Sequence, residues 1–351
     1  MPIQQIAAPC SSAASLPAGP RRGFRAAALG LLLTAGVAAA QPAAAAGASV
    51  QDEAGPRPSP AAQSAPAPTL PPTATTPPPT VELRLDGDYF AKAGFDGSDA
   101  DVQLARFDAG VAVTVQPKER LRLTVSAGSG LMLYDFDGIE AGLAGLNEGD
   151  DPLDEALAHR FGLNALYFQN AKLAWFGGAS VTSTGATDAD FGDTLSFNAR
   201  LGLRYQLRPN LALGVGVSAS TRLAEDGVFI FPLPIVDWQI ADRWRLATAD
   251  RGIALSFEAT DALSLSLAVS FYREEIRLAD DSPIPEGVLI DTRVPVTLGA
   301  EFRPSERFTV TAAVGVAVAG EIEWQDEDGD ELDSTDLDAS PVLSLGVRVR
   351  F

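Results

Sequence analysis

The stretch VLSLGVRVRF, residues 342–351, decides the fold. Every second side chain from Leu343 to Phe351 is apolar, whereas the side chains between them, from Ser344 to Arg350, are small, polar or charged. Because successive side chains of a β-strand point to opposite faces, this pattern predicts a strand with one face suited to lipid and the other suited to water.

A closing strand that ends in phenylalanine resembles the C-terminal signature of bacterial outer-membrane β-barrels. That signature is read by the barrel-assembly machinery of the outer membrane. The resemblance implies that Phe351, Val349 and Val347 form the assembly signal of this chain. It also implies that the partners of the chain are outer-membrane lipid and the assembly machinery.

The N-terminus has the pattern of an export signal. Arg21, Arg22 and Arg25 precede an apolar run from Ala26 to Ala39, and small residues follow before Gln41. The apolar run is too short to cross a bilayer as a helix. Residues 1–40 are therefore predicted to be a cleaved signal peptide. Its removal leaves a mature chain without cysteine, since Cys10 is the single cysteine.

Residues 41–80 are dominated by Ala, Pro, Ser and Thr and contain eleven prolines. Such a composition buries too little apolar surface to offset the entropy of ordering the chain. The segment is predicted to be a disordered periplasmic linker. Two roles stay open for it, a passive spacer or a tether for a cell-wall or periplasmic partner.

Residues 81–351 read as strands of alternating polarity, separated in turn by short and long connections. One hairpin runs from Phe107 through the turn at Pro117–Arg120 into the strand that begins at Leu121. Many strands are ten or more residues long, which favours a tilted membrane span over the shorter strands of a soluble sandwich. The chain is therefore predicted to be all-β, an antiparallel transmembrane β-barrel of 12–14 strands with an even count.

Aromatic residues toward the strand ends predict the two interfacial girdles of such a barrel. They are Tyr134, Phe136, Trp175, Phe176, Tyr205, Trp244, Phe271, Phe302 and Phe308.

The segment PLPIVDWQIADRWRL, residues 232–246, together with Arg277-Leu278 and Gly287-Val288, resembles an outer-membrane β-barrel family of unknown function. The resemblance covers roughly residues 81–351. It implies a barrel fold and export to the bacterial outer membrane. The family brings no established activity, so no catalytic residue is transferred.

Enzymatic and metal chemistry find little support in the residues. A hydrolase would need a nucleophile, a base and an orienting group, and no motif selects a serine for the single histidine, His159. Asp326, Asp328 and Asp330 have the spacing of the first calcium-loop ligands, but Glu331 and Leu337 stand where that loop needs glycine and a bidentate carboxylate. A weak divalent-cation site and a solvated acidic loop stay open, the latter favoured. No cofactor is expected.

Charge is unevenly distributed along the chain. The formal net charge is −20, and it becomes −23 without the predicted signal, which holds three arginines and no acidic residue. The long connections are acidic, whereas cations flank the short turns, so Arg122, Arg204, Arg348 and Arg350 are predicted to line a charged periplasmic rim. So acidic a surface excludes nucleic acid as a partner.

These features predict a porin-like channel for small solutes or ions, because barrels of more than about eight strands have lumens that side chains do not fill. The alternative is a structural or surface-interaction barrel whose acidic outer loops bind a partner or divalent cations. A membrane-embedded hydrolase is the least favoured class.

Overall fold

The computed structural model describes residues 77–139, 144, 146, 151–223, 227–249 and 252–351. The predicted signal peptide and the predicted linker up to residue 76 lie outside the described residues, as do Glu148 and Asp150 of the acidic second long connection. The assignments made for them stay predictions.

The described residues form sixteen strands. They are β1 Thr80–Gly94, β2 Asp101–Lys118, β3 Leu121–Asp137, β4 Glu155–Phe168, β5 Leu173–Ala186, β6 Leu195–Arg208, β7 Leu211–Ser220, β8 Phe229–Ala241, β9 Trp244–Ala249, β10 Gly252–Glu258, β11 Leu263–Ser270, β12 Tyr272–Arg277, β13 Val288–Ser305, β14 Phe308–Gln325, β15 Glu331–Leu337 and β16 Ser340–Arg350.

Fourteen of these strands make a closed antiparallel wall. Each strand from β1 to β11 pairs with its neighbour along the chain, β11 pairs with β13, β13 with β14, and β14 with β16. The ring closes between β1 and β16, where the backbones of Val81 and Phe351 exchange hydrogen bonds of 2.8 and 3.2 Å. The predicted all-β barrel is confirmed, with fourteen strands at the upper end of the predicted range.

The connections are asymmetric, as expected for this class of barrel. At the short-turn end, turns of two to four residues join β2 to β3, β4 to β5, β6 to β7, β8 to β9, β10 to β11 and β13 to β14. Both ends of the wall, Thr80 and Phe351, lie at this end. The opposite end, here called the long-loop end, carries most of the longer connections; β9 and β10 are the exception, since two residues join them.

The outer face of the wall is apolar. Val215 lies in the middle of β7, and 59 % of its surface is exposed. Many other outward side chains share this exposure, among them Leu85, Phe161, Leu201, Leu267, Leu298, Val314, Leu343 and Leu345. A continuous exposed apolar belt suits lipid rather than water. The outward register predicted for the last strand is confirmed.

Most of the predicted girdle residues point outward near the short-turn end. Trp175, Tyr205, Trp244, Phe302 and Phe308 are exposed on the outer face. The prediction was wrong for Tyr134, Phe136 and Phe176, which point into the barrel. Tyr134 and Phe136 are buried, and they stack on each other at 5.8 Å between ring centroids. Strand alternation fixes their inward direction, because outward residues such as Val125 and Trp175 lie an odd number of positions away.

The strands of the wall end at two different heights. Strand β11 stops pairing with β10 at Ser270, and its continuation β12 stays paired with β13 but leaves the line of the wall. The far end of β12 meets β5, where Arg277 and Gly185 form a bridge, although β6 to β10 separate β5 from β11 in the wall. Strand β12 therefore spans the mouth of the barrel.

This crossing creates a second, smaller ring at the long-loop end, here called the upper ring. Its nine strands are the upper parts of β1 to β5 together with β12, β13, β14 and β15, and a bridge between Phe95 and Leu337 joins β15 to β1. Strands β6 to β10 reach only the lower height. Among the described residues, no helix is long and apolar enough to cross a membrane.

The two faces of the wall predict opposite tolerances to charge. Leu267 points outward between Leu255 and Leu298, whereas its neighbour Ser266 points inward between Ser256 and Gly299. We expect Leu267→Arg to destabilise the folded barrel by roughly 2–4 kcal/mol, because it places a charge in hydrocarbon. Ser266→Arg has small neighbours in the lumen and should cost much less. Urea unfolding of both variants in lipid vesicles measures the difference, and equal midpoints would contradict the assigned faces.

Candidate functional site

The candidate site is the lumen, and its lower half is polar. Alternation places small and polar residues inward along most strands. The hydroxyls of Thr114 and Thr124 lie 3.0 Å apart, and Arg200 donates to the Asn164 side-chain oxygen at 2.9 Å. Further inward groups include glycine and serine. This part of the lumen suits water and polar solutes.

The predicted rim residues lie on the inner face at the short-turn end. Arg348 and Arg350 both pair with Glu82, at 3.3 and 2.7 Å. Arg204 pairs with Asp237, which also accepts two hydrogen bonds from Arg245 at 2.8 and 3.0 Å. Arg122 lies on the same inner face of β3, opposite in direction to the exposed Val125. The rim therefore holds ordered ion pairs, which the sequence pattern did not show.

A buried charge cluster lies higher in the lumen, where β12 crosses. Glu274 of β12 accepts from Arg106 of β2 at 2.7 Å and from Arg160 of β4 at 2.9 Å. Arg106 is 2 % exposed, and it also bonds the Asp108 carboxylate and the Tyr272 hydroxyl. Two arginines thus face two carboxylates. Charges removed from water are tolerated when they are balanced and hydrogen-bonded in this way.

A second buried pair sits beside this cluster. Arg293 donates through Nε to Asp291 at 2.8 Å, and Tyr134 donates to the other oxygen of Asp291 at 3.0 Å. The Arg293 guanidinium lies 4.9 Å from the ring centroid of Phe90. Its two terminal nitrogens have no hydrogen-bond partner among the described residues. The interior therefore changes from small and polar side chains below to buried charged ones at this level.

An apolar core fills the upper ring above the charges. Its members share nearly complete burial and inward direction: Phe95, Leu104, Met132, Phe136, Ile276, Leu289, Ile322 and Trp324. Trp324, the largest, is 0 % exposed. Side chains packed this closely leave no aqueous route among them. The barrel is thus closed along its axis at the long-loop end.

Sequence reasoning missed both the charge cluster and this core. The signal that could have revealed them is the segment YREEIR of β12, which is charged on both faces. A strand with two charged faces does not fit a wall in lipid. Small inward residues are common in the lower lumen, whereas large apolar side chains fill the upper ring.

The acidic stretch near the C-terminus is more ordered than predicted. Residues 331–337 form β15 and pair with β14, where the sequence had predicted a loop outside the ladder. Asp326 accepts from the backbone N–H groups of Asp328 and Asp330, at 3.1 and 2.9 Å, and so shapes the turn. Among the residues that the structure describes, no three acidic, histidine or cysteine side chains are grouped to hold a metal ion.

The single histidine lies on the outer face of β4. His159 Nδ1 is 2.9 Å from the Ser129 hydroxyl. The outward cross-strand neighbour of His159 on β5 is Ser183. The Ser183 hydroxyl is hydrogen-bonded to the Thr194 hydroxyl, with 2.6 Å between the two oxygens. The outward neighbours on β4 itself are Leu157 and Phe161. These described neighbours supply no carboxylate or amide to orient the ring, as a catalytic triad requires.

Comparison with protein families finds a match for residues 161–350, to the family described as a domain of unknown function (DUF6268). No curated protein matches the chain.

Among solved structures, the chain is similar to an outer membrane channel from Pseudomonas putida F1, with 11 % identity, a TM-score of 0.43, and coverage of 81 % of this chain and 100 % of that one. It is also similar to the P. putida toluene transporter TodX, with 11 % identity, a TM-score of 0.40, and coverage of 79 % and 90 %. The KdgM porin in complex with disordered oligogalacturonate shows 7 % identity, a TM-score of 0.31, and coverage of 78 % and 99 %.

The buried charge cluster predicts a large effect of neutralising one partner. Glu274→Gln leaves Arg106 and Arg160 with Asp108 as the remaining carboxylate between them, so one buried positive charge is no longer balanced, and we expect a cost of about 3–5 kcal/mol of folding free energy. Glu301→Gln is the matched control. It removes the partner of the more exposed Arg303 and should cost about 0–1 kcal/mol. Urea midpoints of the two variants decide the matter; a Glu274→Gln midpoint equal to that of the control would show that the cluster contributes little.

Proposed function

The chain belongs to the family described as a domain of unknown function (DUF6268), and from the geometry of its barrel we propose that it is a channel for small solutes in the bacterial outer membrane. The observation that carries this proposal is the contrast between the two faces of one closed wall. The outer face is an exposed apolar belt, and the inner face of the lower half carries hydroxyls, amides and ion pairs. Only a barrel with lipid outside and water inside satisfies both faces.

Packed side chains close the channel at its long-loop end. The apolar core and the neutral charge cluster occupy the upper ring, so that solutes entering from the short-turn end meet a closed axis. A wide pore that is permanently open to ions would require these side chains to be in water. We therefore expect low ion conductance for the protein at rest, unlike that of a general porin.

The distribution of charge supports the proposed orientation. The long-loop end is rich in carboxylates, including those of the β14–β15 turn, and cations outnumber carboxylates around the short turns. With the short turns in the periplasm, as is usual for outer-membrane barrels, the acidic end faces outward. An acidic mouth concentrates cations and repels anions. Any ionic leak through the barrel should thus prefer cations at low salt.

A surface-interaction role is the second candidate. The acidic β14–β15 hairpin favours it, because its carboxylates from Asp326 to Asp336 are largely exposed and lie beyond the apolar core. Such a surface suits a cationic partner or loosely held divalent ions. The two roles are separated by permeability, since a pure interaction protein leaves solute entry unchanged. A partner of the predicted linker would act from the periplasmic side and is compatible with either role.

Solute entry into intact cells tests the channel. Cells that express the chain should take up at least one class of small solute faster than cells without it, in a panel that spans polar and apolar probes. The amount of assembled barrel in each culture is measured by its heat-modifiable mobility on gels, so that entry rates are compared at equal amounts. Unchanged entry of every probe, with the barrel present in the outer membrane, would exclude the channel and leave the surface role.

Opening the upper ring provides the complementary measurement. Trp324→Ala combined with Met132→Ala removes two fully buried side chains from the core. If the lumen below is aqueous, we expect this variant to raise single-channel conductance in planar bilayers well above that of the parent. Leu298→Ala with Val314→Ala removes outward side chains instead and serves as the control. Equal conductance of parent and core variant would show that the core is not the barrier.

The assembly signal is a separate proposal. Phe351 is 66 % exposed, and Val347 and Val349 share its outward direction on β16. Such exposure gives the Phe351 ring little part in packing, so we propose that it acts as a recognition element for the assembly machinery. Removing Phe351 should lower the amount of assembled barrel in cells while hardly changing the urea midpoint of barrel refolded from purified chain. Normal assembly in cells would contradict this role.

A further inference from the structure

The wall contains a free strand edge in its upper half. On the side of β9, the pairing of β8 begins at Asp237, opposite Ala247. Just above it, the backbone N–H of Val236 donates to the hydroxyl of Thr248 at 3.0 Å, so a side chain ends the ladder. From Phe229 to Ile235, no described strand pairs with β8 on this side. The β7 side of the same segment is fully paired.

Two prolines lie on the free edge, at positions where the N–H that proline lacks would have no described strand partner. Val236 directs its N–H away from β7, whereas Gln239, an odd number of positions further, donates to Asn210 on the β7 side. By this alternation the backbone nitrogens of Pro232 and Pro234 point away from β7. On that side an N–H would have no partner on a described strand. Proline has no N–H and is confined in sheets to such edges. The segment PLPI, residues 232–235, thus suits an edge that pairs with no described strand on this side.

The neighbour of β8 on this side, β9, is short, as is β10, and the strand beyond them leaves the wall. Beyond Phe271 the chain continues as β12, which crosses to β5. Arg277 at its end donates to the backbone carbonyls of Leu223, Asp193 and Glu286, three positions in three different connections. These bonds hold β12 across the mouth. Among the residues that the structure describes, a gap in the wall remains, here called the window, bounded by the upper half of β8, the top of β10, Phe271 and Leu223.

The inner face of β8 is apolar next to the window. Its inward residues Phe231, Leu233 and Ile235 pair with Ser218, Gly216 and Gly214 of β7. Phe231 is 43 % exposed although it points inward, as expected beside an opening. Below them the same face turns charged at Asp237. The outward side chains at this height are apolar as well, so β8 is apolar on both faces only where it borders the window.

Phe176 of β5 continues the apolar surface across two neighbouring strands. Its ring lies over Gly202 of β6 and Gly216 of β7, so closely that a Cβ on either glycine would come within 2.2 and 2.9 Å of the ring. With Leu233 and Ile235 next to Gly216 and Gly214, an apolar lining runs from the middle of the lumen to the window. A polar solute gains nothing from such a lining, whereas an apolar one keeps its contacts throughout.

We propose that the window is the outer end of the permeation path, and that the class of solute it passes is small, uncharged and apolar. Such molecules would exchange between the lumen and the lipid beside β8, bypassing the closed axis of the upper ring. This inference rests on the proposed channel function and specifies its route. A second copy of the chain adding a strand at this edge is disfavoured by Pro232 and Pro234, which offer no donors to it.

A cysteine pair on β8 tests the route. In a chain carrying Cys10→Ser, Phe231→Cys places a thiol on the inner face at the window, and Ile230→Cys places one on the adjacent outward position, which is 68 % exposed. Both are treated in intact cells with a sulfonated methanethiosulfonate, which adds a charged group that dithiothreitol removes. Entry of the apolar dye N-phenyl-1-naphthylamine and of the polar substrate nitrocefin is followed before and after treatment.

We expect modification of Phe231→Cys to lower dye entry to the level of cells without the protein, dithiothreitol to restore it, and Ile230→Cys to show neither effect. Dye entry that survives confirmed modification of Phe231→Cys, or that is lost equally in Ile230→Cys, would overturn the window as the route. If the parent speeds nitrocefin but never the dye, the channel stands and the apolar route is wrong. If the parent speeds neither, the channel itself is excluded.

Discussion

The structure depends on one constraint: inside hydrocarbon, every backbone N–H and C=O must find a partner within the protein. Fourteen strands satisfy it by closing on themselves between β1 and β16. The same constraint explains the exception. Where β8 rises beyond β9, the ladder is capped by the Thr248 hydroxyl, and the chain uses Pro232 and Pro234, which have no donor to satisfy. In the sequence, the gap in the wall is marked by prolines at positions whose backbone nitrogens have no partner on a described strand.

The second organising feature is the departure of β12 from the wall. A strand in the wall has one lipid face, but a strand inside the barrel has none, and YREEIR carries charge on both. Glu274 meets Arg106 and Arg160 on one side, and Glu275 accepts from the Leu223 N–H on the other at 3.0 Å. Strand β12 closes the axis of the upper ring, and its departure from the wall leaves the window beside β8. One displaced strand therefore accounts for both features.

Much of the architecture could be predicted from the sequence, because period two specifies strands and their faces. The hairpins, the outward register of Val215 and Leu343, and the inward direction of Arg204 and Arg348 follow from alternation alone. What alternation does not specify is which distant strands meet. Arg106 and Glu274 are 168 positions apart, and nothing local pairs them. The inward direction of Tyr134 and Phe136, by contrast, follows from alternation along β3, which the girdle prediction did not apply to them. Strand β15 was missed for another reason, since its exposed acidic residues are typical of a loop.

Arg277 anchors β12 through main-chain carbonyls alone, those of Asp193, Leu223 and Glu286. A carbonyl is supplied by any residue, so this anchor places no demand on the identity of the side chains in the three connections. The side chains at these three positions can therefore change while Arg277 keeps its hydrogen bonds and β12 keeps its position. Sequence variation at these positions and a constant architecture are compatible, because one arginine binds the backbone and not the side chains.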